Sequence, residues 1–222
     1  MTDKMLICEI QDNISIVTLN RPDKRNALSK ELRDDIVNCL TELEANEQVR
    51  AVVVTGSGTS FCAGFDLSEF STGDIQEIYA DAARYHRKIY NTTKPLIAAV
   101  NGKAIAGGMD LAAMCDVRIV SEDSFFEQSQ VRTGITAAVD LLSTVLPMPV
   151  AKELCLTGRT MTSEEALKCG FANEIVCGSK LLNRAILIAK EIAESTGSLT
   201  IKAQFKLLQP KLFEDQDEPE AK

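Results

Sequence analysis

Apolar residues fall in short blocks along the chain, and the blocks change period. Ala51–Thr55 (AVVVT) is a continuous apolar run of strand length, which predicts a strand buried on both faces, as in a parallel sheet. Leu96 opens a second such run directly after Pro95. Met5–Ile10 and Ile14–Leu19 read as two strands around a Gln11-Asp12-Asn13 turn. Leu32, Ile36, Val37, Leu40 and Leu43 then repeat at helical spacing, with Ser29 placed to cap the helix. Asp74 and Glu77 resemble a capping box and open a helix reaching about Asn91. Further on, strands are predicted at Val117–Val120 and Ala172–Val176. Helices are predicted at roughly Ala138–Leu146, Val150–Leu156, Ser163–Cys169, Lys180–Ser195 and, last, Leu199–Leu208. Alternating strands and helices give an α/β fold with one main sheet. The expectation is a single domain over residues 1–213 and a disordered acidic tail over 214–222.

The most informative stretch is Leu96–Asp116, LIAAVNGKAIAGGMDLAAMCD. A buried strand breaks at Asn101-Gly102, a glycine pair follows at Gly107-Gly108, and a helix start carries one acid, Asp110. Glycines let backbone approach a ligand, and the first amides of a helix have no partners within it. An ordinary strand-to-helix turn with a surface aspartate fits the same residues.

Composition narrows the partners. With 222 residues, 45% hydrophobic and 25% charged, the chain can bury a sizeable core. It shows no apolar run long enough for a membrane helix and no leader pattern, so the default is a cytoplasmic protein with no membrane partner. The net charge is −8, and the last nine residues, EDQDEPEAK, supply half of it with five acids against one lysine. No basic stripe with interleaved aromatics is present, which argues against nucleic acid. Seven scattered cysteines form no CxxC or Cys/His cluster and read as buried apolar residues. Cys62 stands apart because it lies in a glycine loop.

Several chemistries fail on the motifs. Gly56-Ser57-Gly58 follows a buried strand, but the third position of a dinucleotide fingerprint falls on Phe61, and no glycine loop ends in Gly-Lys-Ser/Thr. The single histidine, His86, lies mid-helix and no GxSxG elbow exists, so Ser-His-Asp hydrolysis has little support. No metal site is suggested. What survives is electrostatic catalysis by backbone amides. FCAGFDL (61–67) and AIAGGMDL (104–111) each follow a buried strand, and in a parallel sheet the ends of such strands come together.

These two segments, with LNRPDKRNALS, TKPLIAAVNG and LTGRTMTSEEALKCGFANEIV, resemble the enoyl-CoA hydratase/isomerase (crotonase) family over residues 5 to 195. The resemblance implies a crotonase-like spiral of β-β-α turns with trailing helices, assembled as a homotrimer or hexamer. It implies an acyl-CoA substrate whose thioester oxygen is held between two backbone amides, here those of Phe65 and Gly107. Coenzyme A is then part of the substrate, and no separate cofactor is expected. Contacts to CoA would fall on Ala63, Asp66 and Leu67, with Arg25, Ala27 and Leu28 along its path and Lys24 or Arg25 near its phosphates. Phe65 and Gly107 would touch the thioester itself.

The sequence also departs from the family pattern. Of the two glutamates that hydratases use, the first position is Asp110 and the second is Gln130, which can orient water but cannot exchange a proton at neutral pH. Asp140 lies near a loop position where some relatives place an acid, and Glu127 is expected to point away from the site. The C-terminal helical region is shorter than usual after about Ser195. Enoyl-CoA hydration is the default reaction. Double-bond isomerisation by a single carboxylate is the alternative, and a non-catalytic acyl-CoA-binding relative is the reading from another class.

Overall fold

A computed structural model describes residues 4–71 and 74–195, together with 197, 199, 202–204 and 212. The chain opens with an antiparallel hairpin, β1 (Leu6–Gln11) and β2 (Ile14–Leu19), and then α1 (Lys30–Ala45). Three β-β-α turns follow. They are β3 (Ala51–Gly56), β4 (Ser60–Cys62) and α2 (Ile75–Tyr90), then β5 (Leu96–Val100), β6 (Lys103–Ile105) and α3 (Gly107–Met114), then β7 (Val117–Ser121), β8 (Phe125–Glu127) and the short α4 (Val139–Leu142). The chain continues through α5 (Met148–Thr157), β9 (Thr160–Thr162), α6 (Ser163–Lys168), β10 (Glu174–Val176) and α7 (Leu181–Glu194). The helix expected at Leu199–Leu208 falls largely outside the described residues, and the acidic tail wholly so.

The strands form two sheets, where one main sheet was expected. The larger runs β1-β2-β3-β5-β7-β10, parallel except for the opening hairpin. The smaller runs β4-β6-β8-β9. Each spiral turn gives its long strand to the first sheet and its three-residue strand to the second. Three residues carry no readable period, which is why the second sheet left no trace in the apolar pattern.

Burial on both faces of the large sheet follows from strand alternation. Val52, Val54, Ala98 and Val100 face the core beneath α1, α2 and α3. Ala51, Val53, Ile97 and Ala99 face Leu181, Ala185, Ala189 and Ala193 of α7. Both predicted helix starts are capped, that of α2 through the Gln76 amide rather than the Glu77 amide of a capping box. Ser29 Oγ accepts from the Leu32 amide at 3.4 Å, and Asp74 Oδ1 accepts from Gln76 at 2.8 Å. No helix among the described residues is long and apolar enough to cross a membrane.

Candidate active site

The parallel β4–β6 pairing lays residues 60–62 beside 103–104, so the glycine loops that follow meet. Contact there is backbone on backbone. A Cβ on Gly64 would lie 3.1 Å from the Gly107 amide nitrogen, and one on Gly108 would lie 2.1 Å from the Cys62 carbonyl oxygen. Only glycine permits either approach.

Phe65 forms an isolated parallel bridge with Leu28. The Leu28 amide donates to Gly64 O at 2.8 Å, and Asp66 donates to Leu28 O at 3.2 Å. In this geometry the partner's bonds go to the residues on either side of Phe65, so the Phe65 N–H points the other way. It has no acceptor among the described residues. The Gly107 N–H, at the first position of α3, has none either. The residue before it, Ala106, sits at φ 51°, ψ −121°, a backbone state that a side chain disfavours. That strained turn is fixed by the Ala106 amide donating to Glu127 O of β8 at 2.7 Å.

Both loops border one cavity of about 360 Å³. Ala63, Phe65, Ala106, Gly107 and Asp110 line it, as do Leu67 and His86. Ile78, Ala82 and Ala83 of α2 line one part of it, and the segment 129–138 lines another, where Ser129, Gln130, Thr133 and Thr136 are mixed with Ile135, Ala137 and Ala138. Two residues with unpaired amides and one carboxylate therefore border the same cavity.

Asp110 is only 4% exposed, and burial pushes its carboxyl up to about 7, against a smaller opposing effect from a hydrogen bond donated by Gln128. The Gln128 Nε2–Asp110 Oδ1 distance is 2.9 Å, and Gln128 is fully buried. Gln130 Nε2 in turn donates to Gln128 Oε1. An acid poised near neutrality in a water-poor site is suited to taking and returning a proton.

Other expected site residues divide in position. Gln130 lines the cavity and reaches Asp110 only through Gln128, which the sequence analysis did not single out. Asp140, at the start of α4, is exposed and does not line the cavity. Glu127 accepts from the Thr160 hydroxyl, on the β9 side of its sheet. Lys24 and Arg25 are exposed at the end of the 3-10 turn Pro22–Lys24. The Ala63 amide donates to Arg25 O at 3.0 Å, which fixes that turn beside the cavity mouth, and Ala27 is half-buried next to it. Leu28 is fully buried, so its side chain belongs to the core and its backbone to the Phe65 loop. Asp66 is engaged by protein groups: hydrogen bonds from Ser68, then Arg21 at 3.2 Å, hold its carboxyl below the usual range. Leu67 is 64% exposed at the cavity edge.

Arg33 is the residue the pattern hid most completely. It lies on α1 but is 1% exposed, donating to Leu28 O and pairing with Glu69 at 3.0 Å and Asp81 at 2.6 Å. Its guanidinium also covers the Phe65 ring at 4.8 Å. His86 packs against that ring at 5.8 Å, and burial drives its pKa down to about 4, so it is neutral. Cys62 is fully buried and its thiol is pushed up to about 12, chiefly by burial, which leaves it protonated and unreactive.

The family model described as enoyl-CoA hydratase/isomerase matches residues 9–218. This chain belongs to the enoyl-CoA hydratase/isomerase family. Among its relatives, a putative enoyl-CoA hydratase of Thermus thermophilus is 37% identical over 82% of this chain and 76% of its own length. The human mitochondrial delta(3,5)-delta(2,4)-dienoyl-CoA isomerase is 34% identical over 87% of this chain and 65% of its own. A crystal structure of enoyl-CoA hydratase from Mycobacterium tuberculosis superimposes with a TM-score of 0.82, at 31% identity, covering 92% of this chain and 89% of that one. The two sheets and three β-β-α turns are thus the crotonase fold of this family.

Proposed function

We propose that this protein binds an acyl-CoA thioester, holds its carbonyl oxygen between the Phe65 and Gly107 amides, and moves a proton with Asp110. The observation that carries this reading is the meeting of two unpaired amides and one near-neutral carboxyl on a single cavity. An enolate oxygen gathers negative charge as the proton leaves, and each fixed donor contributes about 3–4 kcal/mol in comparable sites. The partial positive end of α3, at Gly107, adds to the same field. CoA is substrate in this scheme, and the exposed Lys24 and Arg25 would meet its phosphates.

Among the family's reactions, the single carboxylate favours double-bond isomerisation. Asp110 takes a proton from the carbon between the carbonyl and the double bond, and the electron pair spreads to the thioester oxygen. The same carboxyl then returns the proton two carbons further on, leaving a conjugated 2-enoyl thioester. Hydration is the second reading, favoured by the relatives described as hydratases. In it Asp110 would carry the acid–base work alone, with Gln130 orienting the water.

Incubation with crotonyl-CoA and with a 3-enoyl-CoA separates the two. Gain of conjugated-thioester absorbance from the 3-enoyl substrate marks isomerisation, and its loss from crotonyl-CoA marks hydration. Binding of acyl-CoA without either change would leave only a binding role. No binding of any CoA thioester would overturn the proposal.

A further inference from the structure

A carboxamide chain runs from the proposed acid to the far wall of the cavity, and its direction is set at one end. In its ionised form, which prevails above about pH 7, the Asp110 carboxylate only accepts hydrogen bonds, so Gln128 then presents Nε2 to Asp110 Oδ1. Gln128 Oε1 is then the acceptor for Gln130 Nε2. That leaves Gln130 Oε1 as the last acceptor of the chain. It is buried without a hydrogen-bond partner among the described residues, although Gln130 lines the cavity.

A buried carbonyl oxygen with no donor is costly, and that cost falls away when something supplies one. The setting says what kind of group fits. Ile78, Ala82, Ala83, Ile135, Ala137 and Ala138 make most of the lining apolar, and Ser129, Thr133 and Thr136 stand near Gln130 among them. A plain hydrocarbon chain would match the apolar lining and leave Gln130 Oε1 without a donor.

We infer that Gln130 is a specificity-determining residue whose Oε1, oriented by Gln128, selects acyl groups carrying a hydroxyl or amide N–H donor. The inference rests on the acyl-CoA reading above and adds to it the class of acyl group. It gives Gln130 a task that a glutamine can perform, acceptance of a hydrogen bond, in place of a proton transfer that it cannot.

The test is equilibrium binding by calorimetry, at about pH 8 where the Asp110 carboxylate prevails, of hexanoyl-CoA and its 4-hydroxy and 5-hydroxy forms. These saturated thioesters have no double bond to shift and no 3-hydroxyl to eliminate. For the intact protein, one hydroxylated form should bind about 5- to 150-fold tighter than hexanoyl-CoA, the range for satisfying a buried acceptor. In Gln130→Met, a change that keeps volume and removes the acceptor, the two should bind within about twofold of each other. In Gln128→Met the preference should shrink, because Gln130 is then free to turn its amide. A wild-type preference below about fivefold, or one that survives in Gln130→Met, overturns the inference. The wild-type comparison decides even if the variants fold poorly. Failure of hexanoyl-CoA itself to bind would instead count against the acyl-CoA reading.

Discussion

Replacing Asp110 by asparagine should stabilise the protein, and by an amount that depends on pH. The carboxyl titrates at about 7 in the fold, against an ordinary value of 3.8, because it is buried. Between those values the folded state holds a proton that the unfolded state has released. The stability contributed by the neutral carboxyl is therefore fully present below about pH 4 and is lost as pH rises through about 7. At about 1.4 kcal/mol per pH unit, the loss is complete at about 4 kcal/mol. Asparagine has no proton to release and keeps an oxygen for Gln128 Nε2 to donate to. Any change in local packing enters as a constant offset, and other titrating groups cancel in the comparison. Urea unfolding of both proteins, followed by circular dichroism from pH 4.5 to 8.5, should show the variant gaining on the wild type steadily to about pH 7 and levelling off above it. Over the same range the wild-type kcat/KM should rise through about pH 7, as the base form of Asp110 appears, and the variant should be inactive. A stability difference that stays flat with pH, or grows as pH falls, would refute the burial argument for Asp110.

Three further outcomes follow from the geometry. Gly107→Ala places a methyl 2.8 Å from the Phe65 ring, so it should cut kcat by about 10²–10³ with the melting temperature little changed, whereas Gly108→Ala meets the Cys62 carbonyl at 2.1 Å and should cost the fold itself, as thermal melting will report. Ser29→Ala removes the α1 cap and should cost about 1 kcal/mol in urea unfolding without altering the pH profile of activity. Lys24→Ala with Arg25→Ala should raise KM for a CoA thioester but not for the matching pantetheine thioester, which lacks the nucleotide phosphates.

The elements legible in the sequence were those whose order is local. Ala51–Thr55 and Leu96–Val100 read as doubly buried strands because continuous apolar runs have few other uses, and both are buried throughout. Ser29 and Asp74 announced their helices through cap chemistry that spans three residues. The Gly107-Gly108 pair and Asp110 stood out for the same reason. Arg33 did not, because a charge on an amphipathic helix is ordinarily read as solvated, and its partners Glu69 and Asp81 lie 36 and 48 residues away. Gln128 was silent on similar grounds: its link to Asp110 spans 18 residues and exists only because β6 and β8 pair. Asp140 drew notice because it lies near a loop position where some relatives place an acid, yet at the start of α4 it is exposed to solvent.

The contact between Gly64 and Gly107 has one more consequence. The spacing of the two free amides is gauged mainly by main chain against main chain, and the side-chain atoms that touch it are the Ala106 methyl and the Phe65 ring. Other side chains around the cavity can then be exchanged for larger, smaller or more polar ones without widening or narrowing that gauge. The part of the site that handles the oxygen and the part that recognises the acyl group are mechanically separate, so substrate range can drift while the chemistry at the carbonyl stays in register.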